Sequence, residues 1–266
     1  MGGDNRPDKG RVIAILGMHR SGTSCLTGSL QQAGLTLGEV HTWNRYNLRG
    51  NREQQTLVDL NDEVLADNGG SWDRPPKHCQ WSDEQLRRAQ TSLMASPDVG
   101  ALPSQSASSP GSLVRGFKDP RTLLTLDGWL RAIPQLEFVG VFRSPLAVAR
   151  SLAHRSAMPP DQALELWALY NRRLLRLWRR YRFPLVNFDV EADDYLGIVS
   201  RVARDLGLDA EASRQAPFFD ESLRTSQADP VKMPLPYSIR LLHWRLRRAA
   251  RVYRRRSAAV TVVSST

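Results

Sequence analysis

Residues 15 to 26 read ILGMHRSGTSCL, and Gly17 and Gly22, four residues apart, set the frame of a phosphate-holding loop. In a nucleotide triphosphatase that frame is followed by Lys and then Ser or Thr; here Thr23 and Ser24 stand in those places. The lysine reaches the outer phosphates and the hydroxyl after it holds Mg²⁺, so with Thr23 in the lysine's place the group that reaches a triphosphate's outer phosphates is missing. The backbone N–H groups of a glycine-framed turn at a helix start still favour an anion, whatever the side chains. Arg20 adds a charge inside the loop, and His19, Ser21, Gly22, Thr23 and Ser24 complete it. The pattern predicts a pocket for one short dianionic unit.

The elements around the loop must present it. RVIAIL (11–16) is a short apolar run rich in β-branched residues, and SCLTGSLQQAGL after the loop has helical character. Helices are expected at 53–67 (EQQTLVDLNDEVLAD) and 82–95, and a Pro-, Ser- and Gly-rich loop at 96–112. SLVRGFKDP (112–120) and LEFVGVFRSP (136–145) read as strands stopped by Pro120 and Pro145. Residues 162–181 carry Ala163, Trp167, Tyr170, Leu174, Trp178 and Tyr181 at helical spacing, a core-packing stripe. A strand at 183–190 and a helix closed by Gly207 follow. Short apolar strands alternating with helices predict an α/β, three-layer P-loop-type fold, a central parallel sheet flanked by helices. Ligands of such sheets sit at the carboxyl ends of the strands, where the loop, GFKDPR and GVFRSP all lie.

These segments carry a resemblance. GMHRSGTS is similar to the 5′-phosphosulfate loop of sulfotransferases that use 3′-phosphoadenosine 5′-phosphosulfate (PAPS), and VFRSPLAVARS resembles their 3′-phosphate motif. FKDPRT is similar to the KDP element of tyrosylprotein sulfotransferases and bacterial glycan-modifying relatives, and NLRGNREQQTLVDLNDEVLADNGGSW (47–72) resembles a further bacterial stretch. The likeness runs from about residue 11 to 225. It implies that Arg143 and Ser151 bind the 3′-phosphate, that Lys118 sits near the sulfuryl group and that Glu53 is the base. The pair makes physical sense, with Arg143 at a strand end and Ser151 about two turns into the next helix. The family's aromatic pair before the base is Asn51-Arg52 here. FFDESLRTS (218–226) is the candidate closing loop, with Arg224 as a second 3′-phosphate contact.

On this reading a base takes the acceptor proton, Arg20 and Lys118 stabilise the transition-state charge, and no metal is required. His41 is a rival base, and Arg121 either holds the acceptor or pairs with Asp119. The expected acceptor is a hydroxyl of a glycan or lipid-linked saccharide, with a tyrosine of an acidic peptide as the alternative. A P-loop small-molecule kinase and a non-enzymatic membrane or polyanion adaptor are the other classes.

The net charge of +10 is local: eight arginines and no acid lie in YSIRLLHWRLRRAARVYRRR (237–256), so the rest of the chain is near neutral and specific nucleic-acid binding is not expected. Ile239, Leu242, Leu246, Ala249, Ala250 and Tyr253 form a stripe in it. Three uses compete: an anionic membrane surface, an acidic acceptor, or a helix packed on the body with a solvated basic face. The predicted organisation is a flexible 1–10, a sulfotransferase domain over 11–230, the basic segment 231–256 and a frayed 257–266. Two cysteines, Cys25 and Cys79, without a CxxC or a His cluster, indicate neither disulfides nor zinc. A cytoplasmic setting, peripheral at the inner membrane surface if the basic segment docks there, is the expectation.

Overall fold

Four parallel strands in the order β2-β1-β3-β4 form the sheet. The computed structural model describes residues 10–43, 49–94, 114–215, 218–219 and 234–263; Arg224 and the 96–112 loop lie outside them. The chain runs β1 (Val12–Leu16), α1 (Thr23–Gln32), α2 (Gln55–Asp67), α3 (Asp83–Met94), β2 (Arg115–Lys118), α4 (Thr122–Ala132) and β3 (Glu137–Phe142). It continues through α5 (Pro145–Ser156), α6 (Pro160–Tyr181), β4 (Leu185–Asn187), α7 (Ala192–Asp205), α8 (Ala212–Gln215) and α9 (Tyr237–Val263).

Side-chain alternation divides the core into two layers. In β1, Val12, Ala14 and Leu16 face one layer with Trp129, Trp167 and Leu174, while Ile13 and Ile15 face the other with Leu26, Tyr195 and Val199. β3 repeats the division, with Phe138 and Phe142 against Val139 and Val141. A strand buried on both faces has no polar side to show, which is why these segments read as unbroken apolar runs. The expected three-layer α/β fold is the observed one.

Regular structure is shorter than the sequence pattern suggests at several ends. The 112–120 strand contracts to Arg115–Lys118 and the 136–145 strand to Glu137–Phe142, because Pro145 opens α5 at its first turn. α2 begins at Gln55, so Glu53 lies outside the helix in an extended stretch. The cause is a backbone pairing: His41 N–H donates to the Glu53 carbonyl and Arg52 N–H to the His41 carbonyl, each at 3.1 Å.

α7 closes at Gly207 as the sequence predicts, with that glycine at φ +71° and Leu208 N–H donating to the Ala203 carbonyl at 2.8 Å. Gly34, at φ +99°, and Leu35, whose N–H donates to the Leu30 carbonyl at 2.9 Å, close α1. α9 packs on α6 and β4, burying Ile239, Leu242, Leu246, Ala249 and Ala250, and its helix runs past residue 256 to Val263, where a frayed tail was expected. Of the three uses foreseen for this segment, the packed helix with a solvated basic face is the one seen over 237–251. Among the described residues, no helix is long and apolar enough to cross a membrane.

Candidate active site

The β1–α1 loop is shaped by what surrounds it. A Cβ on Gly17 would lie 2.5 Å from the Val141 carbonyl oxygen and 2.7 Å from Thr23 Cγ2, so only glycine lets the loop leave β1 beside β3. Gly22, at φ +90°, caps α1 in the left-handed region and lies against the Phe188 ring. Ser21 N–H donates to the Met18 carbonyl at 3.2 Å, closing the turn. Arg20 itself is left-handed, at φ 65°, which aims its guanidinium away from β2: Arg20 Nε donates to Ser151 Oγ at 2.7 Å. The loop arginine and the predicted 3′-phosphate serine are therefore neighbours.

Arg143 leaves β3 as expected, but its acidic partner is Asp189, at 3.3 Å from Nε; Glu137 is taken by Arg11 at 2.7 Å. Asp189 also accepts from the Ser144 N–H, and the Arg143 guanidinium lies over the Phe188 ring at 5.4 Å. Burial pulls the Arg20 pKa down to about 10, with the charges of Arg155 and Arg143 adding to the effect. This side of the site is rich in positive charge.

The β2 side is balanced instead. Lys118 Nζ donates to Glu53 Oε1 at 2.6 Å, and their side chains are 2% and 12% exposed. The predicted cation and the predicted base thus meet directly. Next to them, Arg121 reaches Asp62 at 2.6 Å and Asp119 at 3.0 Å, so it is held by acids on both sides. Asn61 Nδ2 donates to Asp119 at 2.8 Å, while Asn61 Oδ1 accepts from Thr125 Oγ1 at 2.6 Å and Trp129 Nε1 at 2.9 Å. Burial pushes the Asp119 carboxyl up, and Arg121 pulls the other way. This lattice fixes KDPR to α2 and α4, and with it the lysine. His41, the rival base, is exposed and shares its Nε2 with Gln55 Oε1 at 2.8 Å.

His19 lies between the two sides. Its ring is packed on Trp72 (4.6 Å) and Tyr170 (6.1 Å), and Tyr170 Oη donates to the Trp72 carbonyl at 3.0 Å. Burial, then the charges of Arg121, Lys118, Arg155 and Arg20, push its pKa well below the ordinary range, so it is neutral near pH 7. His19 Nε2 and Ser21 Oγ are sealed without a hydrogen-bond partner. Arg49 and Arg52 flank the Phe218 ring at 5.2 and 4.8 Å. Thr23 is buried and Ser24 half-buried at the start of α1.

The sequence pattern assigned no role to Asn61, Asp62, Trp72 or Arg155, and gave Tyr170 only a place in the core-packing stripe, although Asn61, Asp62 and Trp72 lie in the stretch 47–72. Among the described residues, no cluster of three or more His, Cys, Asp or Glu side chains is arranged to hold a metal.

No family model and no curated protein sequence matches the chain. Among solved structures it is similar to the sulfotransferase domain from the Synechococcus PCC 7002 olefin synthase, with a TM-score of 0.55, 18% identity, and coverage of 89% of this chain and 95% of that one. The parallel sheet, its flanking helices and the glycine loop after β1 thus form a sulfotransferase-type fold.

Proposed function

We propose that the chain is a PAPS-dependent sulfotransferase that moves a sulfuryl group to a hydroxyl of a glycan or lipid-linked saccharide. One observation carries this reading: the loop leaves Ser21 Oγ and His19 Nε2 sealed without partners, next to an Arg20 whose pKa is depressed by burial and by the neighbouring guanidinium groups. Buried polar atoms are normally satisfied, and like charges do not gather without cause. A doubly anionic ligand in the loop would offset the gathered positive charge. The likeness of fold to a sulfotransferase domain supports the same assignment.

The residues fit such a donor. The β1–α1 loop with Ser21, Gly22, Thr23 and Ser24 would hold its 5′ end, and Arg143 with Ser151 its 3′-phosphate, with Arg224 a further contact. The donor supplies a sulfuryl group on a phosphate leaving group. Glu53 accepts the acceptor's hydroxyl proton as the new O–S bond forms and the S–O bond to phosphate breaks. Protonation removes the charge that holds Lys118, freeing the ammonium for the negative charge developing on the leaving oxygen. Arg20 contributes from the Ser151 side. His19, neutral, adds no charge of its own.

The test is thermal stabilisation by adenosine 3′,5′-bisphosphate without magnesium. A response to Mg-ATP alone would identify a kinase and sink the reading. Transfer of radiolabelled sulfate from PAPS to host extracts, fractionated into lipid, glycan and protein, then identifies the acceptor; label in tyrosine of acidic peptides would select the alternative. Arg240, Arg245, Arg247, Arg248 and Arg251 are exposed on α9 beside Trp244, which is 54% exposed. That face supports contact with an anionic membrane surface, tested by co-sedimentation with phosphatidylserine vesicles against neutral ones. Biological activity that survives Glu53→Ala and Lys118→Ala but is abolished by deletion of 237–256 would instead favour the non-enzymatic adaptor.

A further inference from the structure

The site's cations can be matched to their partners one by one. Lys118 has Glu53, Arg121 has Asp119 and Asp62, and Arg143 has Asp189. Arg20 has the Ser151 hydroxyl. Arg155 has no carboxylate or hydrogen-bond partner among the described residues, and it is exposed.

Its place in the fold is definite. Arg155 lies four residues after Ser151 on α5, on the same face of the helix. α5 ends just beyond it, where Ala157 turns left-handed at φ 51° and donates its N–H to the Ala153 carbonyl at 2.9 Å. Ser151 fixes that face against Arg20, so Arg155 stands one turn further along, beside the loop. Its charge bears on both Arg20 and His19, and the His19 ring lies against Trp72 and Tyr170. Arg155 thus stands close to the phosphate loop.

We propose that Arg155 binds a carboxylate or phosphate carried by the hydroxyl acceptor, which makes the acceptor class an anionic saccharide. The inference rests on the donor reading above. In that reading the donor's two anionic ends already have the loop with Arg20, and Arg143 with Ser151. Among the described residues Arg155 is left as a solvent-facing guanidinium without a carboxylate or hydrogen-bond partner, the group best suited to a planar or tetrahedral anion through paired N–H donors.

The experiment holds the donor site filled with saturating adenosine 3′,5′-bisphosphate and measures binding of glucuronate, glucose 6-phosphate and glucose by NMR titration. Wild-type protein is expected to bind at least one of the two anions tenfold or more tighter than glucose. Which anion binds tells carboxylate from phosphate. The difference is lost in Arg155→Ala, is largely restored in Arg155→Lys, and bisphosphate affinity stays within about threefold in both. Equal binding of all three sugars by the wild type, or a difference that survives Arg155→Ala, overturns the proposal. A parallel loss of bisphosphate affinity overturns it too, by placing Arg155 on the donor. If the wild type does not bind the bisphosphate at all, the donor reading fails first and this inference falls with it.

Discussion

The two sides of the site are built on opposite electrostatic plans. On the β2 side every charge has an opposite number: Lys118 with Glu53, and Arg121 with Asp119 and Asp62. On the α5 side positive charge gathers: burial, then the charges of Arg155 and Arg143, lower the Arg20 pKa, and Asp189 pairs with Arg143. A balanced network resists rearrangement and fixes its members in place, as a proton-transfer site requires. A surplus of one sign costs stability until a counter-charge arrives, which suits binding. On the proposed function, the contrast separates holding from chemistry.

The contrast can be broken by substitution. Lys118→Ala is expected to lower kcat by about 10²–10³, and Glu53→Gln by a similar factor, while adenosine 3′,5′-bisphosphate binds within about threefold of wild type by calorimetry. Arg143→Ala should do the reverse, raising the bisphosphate Kd by about 10–100-fold, in line with the loss of a charged hydrogen bond. If both variants lost affinity and turnover alike, the two sides would be one site. Asn61→Ala removes the acceptor of Thr125 and Trp129 and the donor to Asp119, so unfolding in urea should show a loss of about 2–4 kcal/mol.

A smaller effect concerns pH. The His19 pKa is depressed in the folded chain, so below the unfolded value of about 6.5 the unfolded chain binds the extra proton. Stability contributed by this site is complete above that value and is lost as the pH falls towards the lower folded pKa. Thermal melts from pH 7.5 to 5 should therefore decline more steeply in the wild type than in His19→Gln. Smallest of all, Arg247→Ala and Arg248→Ala on the exposed face of α9 should leave bisphosphate affinity unchanged and alter only the salt dependence of vesicle binding.

Much of this was legible locally. The glycine frame, Arg20 and the eight-residue step from Arg143 to Ser151 are short-range patterns, and the strands and helices that present them follow from periodicity. What escaped was long-range. Asn61 joins residues 58, 64 and 68 positions away, Asp119, Thr125 and Trp129, and no local signal marks an asparagine for that task. Glu53 was drawn into a helix because the apolar spacing of α2 extends naturally backwards; its pairing with residue 41 is invisible to periodicity. Arg155 passed unnoticed because a basic residue in the last turn of a helix is ordinary on dipole grounds.

The arginine-rich helix has a consequence for anyone shortening the chain. β2 has Thr36 bonded along its outer side, through Val114 and Gly116, and β4, at the opposite margin, has α9 beside it. Cutting at residue 236 would strip Leu242 and Leu246 from their neighbours and lay bare a strand whose backbone groups invite another molecule to pair. Loss of this polar-looking appendage would thereby promote self-association, although none of the removed side chains belongs to the glycine loop, the Lys118–Glu53 pair or the Arg143–Ser151 pair.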